Sequence, residues 1–301
     1  MTNCQGPEME RADGGLKRTL GGSMRFGPAG IPICCSGRST LEGIRCCSEL
    51  KMGAMEMEFV HGVRMNGESA TLAGKIARDL DVRLSSHAPY YVNLCTSDKV
   101  KAENGMRHIL LAAKATALAG GRITVFHPGF YQTLGKEEAF LAAKKRLVEI
   151  KERMDAQGIK CILGAETVGK KSSFGGFEEN LRMARELDFV KPVIDFAHMH
   201  ARGDLKITGE EDYRKIFARL EAELPDYAKE FHSHFSEINY SDKGELNHLP
   251  LGTRNEPPFA PLMKVVAENG YSGTIICESP KLEEDALIMQ NEYSKWAKKK
   301  N

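Results

Sequence analysis

The chain has 301 residues, 42% of them hydrophobic and 28% charged, which is ordinary for a soluble globular protein that buries a full core. Its 42 lysines and arginines balance 41 acidic residues, so the net charge of +1 excludes a bulk electrostatic attraction to polyanions such as nucleic acids. Any nucleic-acid binding therefore requires a local basic patch or bound metal cations. Nothing in the composition indicates a membrane protein.

The N-terminal segment and the cysteines indicate a cytoplasmic protein. Residues 1–23 are polar and glycine-rich and lack the apolar run of a signal peptide, so we predict a disordered tail there, or else an upstream start codon with Met24 as the beginning of the folded chain. The eight cysteines include two adjacent pairs and no Cys-x-x-Cys spacing, which favours free thiols in a reducing compartment. Residues 24–301 are predicted to form one catalytic domain, and we expect a monomer.

From Met24 onward, short apolar runs alternate with longer amphipathic runs. The apolar runs are typical of buried strands and lie at 24–30, 54–60, 82–88, 123–129, 160–167, 192–198, 230–238 and 273–280. Between them, apolar residues recur at helical spacing, and several of these helices end in glycine just before the next strand. Eight strand–helix units without a second domain predict a single (β/α)8 barrel. A doubly wound open sheet is less favoured, because no glycine-rich phosphate loop follows the first strand.

Ionisable residues lie at the ends of six consecutive predicted strands, from the third to the eighth. They are His87, His127, Glu166, Asp195 with His198, His234 with His248 in the following loop, and Glu278. In such a barrel the C-terminal strand ends hold the catalytic groups. Because unpaired buried charges cost on the order of several kcal/mol each, this set predicts a metal site. Mixed imidazole and carboxylate ligands favour zinc, with manganese or iron as competitors.

A single histidine at a strand end is more often a hydrogen-bonded structural residue than a ligand. We therefore interpret four other histidines as structural: His61, His108, His200 and His232.

The motifs SSHAPYYVNL, VFHPG, LGAETVGK, VIDFAHMHA, HFSEI, NHLPLG and IICESP, in this order, resemble those of endonuclease IV, a barrel-fold family of apurinic/apyrimidinic DNA endonucleases. The resemblance extends from about Met24 to the end of the chain. It implies a hydrolase of base excision repair that cleaves double-stranded DNA 5′ to an abasic site and leaves a 3′-OH. Glu166 and Glu278 would be the catalytic residues, the first bridging two metal ions and the second orienting the attacking water.

The resemblance also implies three zinc ions, although manganese would suit the same ligands. The ligands implied for the three ions are, in order, His87, His127 and the bridging Glu166; Asp195, His234 and Glu278; and His198 with His248.

One ligand of the third ion departs from the family pattern. The family supplies an aspartate two residues before the histidine that matches His248, in a D-x-H arrangement. Here Leu246 occupies that position, and the nearest acid is Glu245, three residues before the histidine. The longer glutamate could reach the site through a one-residue slip in the loop. Alternatively, the third site could be weak or empty.

The resemblance further implies contacts with DNA. The family inserts bulky side chains into DNA from the loop after the third strand, and Tyr90 and Tyr91 have the matching spacing. The alternative is that both rings simply cover the barrel mouth. Phosphate contacts are expected from basic residues that follow predicted strands, namely Arg38, Lys170, Lys171 and Arg254.

Two other functions remain open at this point. A sugar isomerase or epimerase on a related barrel would use one divalent metal held by Glu166, Asp195, His234 and Glu278. Such an enzyme has no clear need for the surplus histidines, which are His87, His127, His198 and His248. A non-catalytic protein that binds metal or damaged DNA is the third possibility, and the altered D-x-H motif gives it some weight.

Overall fold

The structure is a computed structural model that describes residues 24–298; the predicted tail, residues 1–23, lies outside the described residues. The described strands are β1 (Met24–Pro28), β2 (Ala54–Glu58), β3 (Arg83–His87), β4 (Ile123–Phe126), β5 (Gly129–Phe130), β6 (Ile162–Glu166), β7 (Ser173–Phe174), β8 (Val190–Asp195), β9 (Glu230–Phe235), β10 (Glu237–Ser241), β11 (Gly244–Leu249) and β12 (Ser272–Cys277). The described helices are α1 (Thr40–Glu49), α2 (Gly67–Asp79), α3 (Lys99–Leu118), α4 (Lys136–Ala156), α5 (Phe177–Glu186), α6 (Phe196–Arg202), α7 (Glu210–Glu223), α8 (Pro225–Lys229), α9 (Phe259–Asn269) and α10 (Glu283–Ala297).

Eight of the strands form one parallel sheet in the order β1-β12-β9-β8-β6-β4-β3-β2. The two edge strands approach each other through a parallel bridge between Ala29 and Glu56. The Gly30 N–H also donates to the Glu56 carbonyl at 2.9 Å. Helices connect successive strands, so the sheet is a nearly closed barrel, and the predicted (β/α)8 fold is confirmed.

The local sequence explains the main elements. All four residues of β4 are buried, as expected for an apolar strand covered on both faces. Helix α1 begins at a capping box, in which the Ser39 side chain accepts from the Glu42 N–H and the Glu42 side chain accepts from the Ser39 N–H. The main core joins strand residues such as Phe26 and Leu163 to helix residues such as Ile109, so it lies between the sheet and the helices.

The predicted strand at 192–198 ends earlier than its apolar pattern indicated. Asp195 is the last residue of β8 and the N-cap of α6, because its Oδ1 accepts the His198 N–H at 2.6 Å. Gly203, with a φ of 79°, ends the helix in the left-handed conformation. His198 therefore lies in a helix that begins at the C-terminal end of a barrel strand.

Two small antiparallel sheets extend from loops that follow the C-terminal ends of barrel strands. One pairs β5 with β7, and the other is the hairpin of β10 and β11. Lys170, in the loop after β6, forms an antiparallel bridge with Gly244 of the hairpin. None of the helices between residues 24 and 298 combines the length and apolar character that crossing a bilayer requires.

Candidate metal centre

The structure brings all nine ligands considered from the sequence to the C-terminal mouth of the barrel. We describe them as three ligand sets: the first set is His87, His127 and Glu166; the second set is Glu166, Asp195, His234 and Glu278; and the third set is His198, Glu245 and His248. Side chains from different strands converge because the C-terminal ends of parallel barrel strands meet at one rim.

Glu166 lies at the centre of this cluster and is 0% exposed. Its Oε2 is 2.7 Å from His87 Nε2 and 3.0 Å from His127 Nε2. Its Oε1 is 3.1 Å from His198 Nδ1 and 3.4 Å from His234 Nδ1. The two oxygens of one carboxylate therefore face different groups of imidazoles, as a bridging ligand requires.

The second set is complete in its geometry. One ligand atom from each of its four residues lies within 4.8 Å of the others. The Oε1 of Glu278 is 3.0 Å from His234 Nδ1. Three buried atoms of this set, Glu166 Oε1, Asp195 Oδ2 and His234 Nδ1, have no partner in hydrogen-bonding geometry among the described residues. Buried polar atoms without partners are costly, so their convergence fits a bound cation.

The third set adds a pair of facing imidazoles. The Nε2 atoms of His198 and His248 are 3.0 Å apart, and Glu245 Oε2 is 3.5 Å from His198 Nε2. His248 and His198 also belong to a group with Asp195 and Glu278 whose ligand atoms all lie within 4.8 Å of one another. Imidazole and carboxylate side chains that converge in this way are among the ligand types of zinc sites.

A β-bulge explains how Glu245 reaches the third set without a D-x-H motif. In the hairpin, Asn239 pairs with Asn247 and Tyr240 pairs with Glu245, so Leu246 is an extra residue on β11. In a regular strand, residues three apart point to opposite faces, and one inserted residue reverses this relation. Glu245 and His248 therefore both approach His198, whereas the Leu246 side chain is 57% exposed.

Because Gly169 has no side chain, there is room beside it for Glu245. A Cβ at position 169 would lie 2.6 Å from Glu245 Cβ and 3.0 Å from His198 Cδ2, closer than side chains approach each other. The Gly169 carbonyl also accepts the Glu245 N–H at 3.1 Å. The loop after β6 thus fixes the position of the bulge.

The imidazoles determine the charge state of the carboxylates. Burial alone would raise the pKa of Glu166, but His127 and His234 hold it well below the usual range. Burial would also raise the pKa of Glu278, but His234 lowers it to about 2. Asp195 differs, because burial raises its pKa to about 6. In turn, the hydrogen bond to Glu166 overcomes burial and raises the pKa of His87 to about 10. The cluster therefore holds ionised carboxylates where cations can bind.

Three residues at this site were not predicted as functional from the sequence. Glu56 is fully buried on β2, with Oε1 2.8 Å from His234 Nε2 and Oε2 3.0 Å from His232 Nε2. This contact covers one side of the His234 ring and leaves Nδ1 facing the second set, which is how outer partners orient metal ligands. Glu58 lines the mouth beside His87, and burial raises its pKa to about 8. The interpretation of His232 as structural stays a prediction, although it shares the Glu56 carboxylate.

The alternation in AMEMEFV was the signal available for these acids. It placed Glu56 and Glu58 on one face of an otherwise apolar strand.

The two tyrosines occupy different positions. Tyr90 is 54% exposed and borders the mouth of the cluster, a hollow of about 190 Å³ that His87, His127 and His248 also line. Tyr91 instead packs its ring against His108 at a centroid distance of 5.4 Å, edge to face, and does not line this hollow. Tyr90 is therefore better placed to touch a ligand at the centre.

The predicted phosphate contacts are also unequal. Arg38 lines a hollow of about 620 Å³ that shares Glu58 and Val60 with the mouth, and no ion pair of Arg38 is found among the described residues. Lys170 and Lys171 are exposed on the loop that pairs with the hairpin. Arg254 is occupied, since it donates to Asn239 Oδ1 at 2.9 Å and contacts Glu256 at 3.3 Å.

Comparisons with known proteins agree with this architecture. An uncharacterized protein of Methanocaldococcus jannaschii is 36% identical over 270 residues, which are 89% of this chain and 96% of that protein. A solved D-tagatose 3-epimerase-like protein has a TM-score of 0.68 at 18% identity, covering 92% of this chain and 99% of its own. Endonuclease IV from Thermus thermophilus has a TM-score of 0.67 at 14% identity, covering 90% of this chain and 99% of its own.

At such low identities, the solved structures show a shared fold and no more. Residues 44–298 match a family described as the xylose isomerase-like TIM barrel. The chain belongs to the xylose isomerase-like TIM barrel family.

Proposed function

We propose that this protein is a metal-dependent phosphodiesterase that cleaves double-stranded DNA 5′ to abasic sites and leaves a 3′-OH. The observation that supports this most directly is the third ligand set, with His198 and His248 Nε2 atoms 3.0 Å apart and Glu245 3.5 Å from His198. These residues lie beside a second set that already suffices for one ion. Several adjacent cations suit phosphodiester hydrolysis, in which charge develops on both the attacking and the leaving oxygen.

The chemistry of the centre would be divided between its ions and its carboxylates. Bound zinc or manganese ions would supply Lewis-acid polarisation of the phosphate and lower the pKa of a water. Glu166 would hold the ions of the first and second sets at a fixed separation, because its two oxygens face different imidazoles. Its burial excludes water from its own oxygens, so both remain available as ligands.

Glu278 is suited to orient the nucleophile. Its Oε1 contacts His234 of the second set at 3.0 Å, and its Oε2 lies 3.5 Å from His248 of the third set. A carboxylate between two ligand sets can accept a hydrogen bond from a water that approaches a phosphate held there. His234 keeps the pKa of Glu278 low, so the Glu278 carboxylate is a weak base. Its main role would be to orient the water.

The size and rim of the mouth favour a base-less sugar phosphate over an intact nucleotide. Its volume of about 190 Å³ lies below the roughly 300–1,000 Å³ of ordinary ligand pockets. Selectivity would follow if only an extrahelical sugar without a base could enter. Tyr90 at the rim would stack in the gap that the missing base leaves, and Arg38 would bind a flanking phosphate.

The test is incubation of the purified protein with a labelled duplex that contains one abasic site, with and without a chelator. We expect a single nick 5′ to the abasic site, a product that a polymerase can extend from its 3′-OH, and no product with the chelator. Glu166→Gln should abolish the nick without unfolding the protein, and Tyr91→Phe serves as the matched control. Full incision by Glu166→Gln, or no incision by metal-loaded protein, would contradict the proposal.

A single-metal sugar epimerase is the second candidate, because the second set alone provides four ligands for one ion. In that case Glu166, Asp195, His234 and Glu278 would hold the single ion. The variant His248→Ala distinguishes the two functions, since it removes a third-set ligand and leaves the second set intact. An epimerase would keep its activity on ketoses in this variant, whereas the nuclease would lose incision.

A further inference from the structure

A buried arginine ends the helix that carries His198. Arg202 is the last residue of α6 and is 7% exposed, and among residues 24–298 it is the only lysine or arginine that is buried. Burial of a guanidinium costs stability unless its charge and its N–H groups find partners. The partners of Arg202 therefore indicate what this side chain does.

These partners hold a tight turn in the loop after β6. Arg202 Nη1 donates to the Lys170 carbonyl at 2.6 Å and to the Ser173 carbonyl at 2.9 Å. The Lys170 carbonyl also accepts the Ser173 N–H at 3.0 Å, so residues 170–173 form a turn whose two ends bind the same guanidinium. Asp204 balances the charge, since its Oδ2 lies 2.8 Å from Arg202 Nε. Arg202 thus fixes the backbone of this turn.

The same loop is in backbone contact with the hairpin of β10 and β11. The Lys171 N–H donates to the Lys243 carbonyl at 3.2 Å. The Glu245 N–H donates to the Gly169 carbonyl at 3.1 Å. A Cβ on Gly244 would lie 2.2 Å from the Gly169 oxygen, so only a glycine allows the two backbones to approach this closely. The position of the loop therefore determines where Glu245 lies.

Helix α6 is attached to this loop at two points. His198 Nδ1 lies 3.0 Å from the carbonyl of Thr167, where the loop begins. Arg202 follows His198 by four residues, so the two side chains lie about one helical turn apart on the same face. The helix that carries one ligand of the third set and the loop that places another thus form one unit.

We propose that Arg202 is a positioning residue for the third ligand set. It does not contact the ion; it holds the loop after β6 against α6 and so keeps Glu245 within reach of the ion that His198 binds. Arginine suits this task because its planar guanidinium carries five N–H donors in a fixed arrangement and can bind two carbonyls at once. The inference rests on the metal centre of the proposed function, but it does not depend on DNA as the substrate.

The test compares the affinity for the third ion in Arg202→Met and in the wild-type protein, by competition with a chromophoric zinc chelator. Methionine keeps much of the apolar stem of the side chain and removes all its donors. The third ion is identified as the one that Glu245→Ala weakens. We expect its affinity to fall about tenfold, the lower end of the effect of an outer partner of a metal ligand. The second-set ion should keep its affinity, because none of its ligands lies on the turn.

Two further variants separate positioning from a general loss of stability. Arg219 lines the same surface hollow, but it pairs with Glu178 and Glu223 on other helices. Arg219→Met is therefore the matched control and should leave the affinity for the third ion unchanged. Arg202→Lys keeps the charge and some of the donors, so it should lose less affinity than Arg202→Met.

Hydrogen exchange of the metal-free protein provides a readout that needs no ion. The N–H groups of Lys171 and Glu245 should exchange faster in Arg202→Met, whereas those of the barrel strands should not. Wild-type affinity for the third ion in folded Arg202→Met, an equal loss in Arg219→Met, or unchanged exchange of both N–H groups would overturn the proposal. Wild-type protein that binds no third ion would contradict this proposal and the proposed function together. Wild-type protein that binds the third ion without incising DNA would contradict the proposed function alone.

Discussion

The β-bulge at Leu246 makes a specific prediction about the third ligand set. Glu245 approaches His198 at 3.5 Å only because Leu246 is an extra residue between two regular strand pairs. We therefore expect Glu245→Ala to weaken the third ion selectively. Adding Leu246→Asp to the Glu245→Ala protein introduces the aspartate of the D-x-H motif. This second change should not restore binding of the third ion, because the side chain at 246 is 57% exposed.

The size of the effect follows from what Glu245 contributes. Loss of an outer hydrogen-bond partner of a metal ligand typically costs about 10- to 100-fold in affinity. Glu245 is a direct ligand candidate, one of three in its set, so we expect a loss of about 100-fold or more. That corresponds to at least about 2.8 kcal/mol. The first and second sets do not include Glu245 and should keep their affinities.

Deletion of Leu246 provides the converse test. Without this residue, the pairs Asn239–Asn247 and Tyr240–Glu245 become consecutive, and the hairpin regains regular pairing. Glu245 then lies two positions before His248, and both side chains point to the same face of β11. We expect the third ion to bind within about tenfold of the wild-type affinity.

Competition with a chromophoric zinc chelator measures these affinities, and elemental analysis gives the number of ions per chain. Circular dichroism controls for folding. Full restoration of the third ion by Leu246→Asp in the Glu245→Ala protein would refute the hairpin register. So would a deletion variant that loses the ion although it remains folded.

Three further predictions concern other residues. Gly169→Ala forces a Cβ into the third ligand set, so it should cost about 1–3 kcal/mol of stability in chemical denaturation and reduce zinc content by one. Glu56→Gln should weaken the second-set ion about 10- to 100-fold in the chelator assay, because the contact that orients His234 is lost. Tyr90→Ala should weaken binding to an abasic duplex in fluorescence anisotropy by about 1–3 kcal/mol, whereas Tyr91→Ala should not; equal effects would contradict their separation.

The fold was predictable because its signal is periodic and repeated. Each barrel strand is an apolar run of the expected length, and each is followed by a helical pattern, so errors at single boundaries did not alter the architecture. The strand predicted at 192–198 shows such an error: apolar residues continue after Asp195, at Phe196 and Ala197, yet Asp195 caps a helix that begins at Phe196. The cap depends on one side-chain hydrogen bond, which an apolar pattern does not report.

The convergence of the candidate metal ligands was predictable where these residues end a strand. His87, Glu166 and Asp195 are last residues of their strands, so the barrel rule alone brings them together. Glu56 could not be found in this way, because it lies in the middle of β2 and an alternating acid in a strand usually indicates a solvent-facing side. Only closure of the barrel places it against His234, a residue of a strand much later in the chain.

Asp195 has two oxygens with two different tasks. Oδ1 accepts the N–H of His198, the third residue of α6, while Oδ2 is buried among the second-set ligands without a hydrogen-bonding partner. A cation that fixes this carboxylate also fixes the start of the helix that holds a ligand of the neighbouring ion. We therefore expect the ion of the second set to bind before the ion of the third set. Removal of the second-set ion should loosen the first turn of α6 at the barrel mouth.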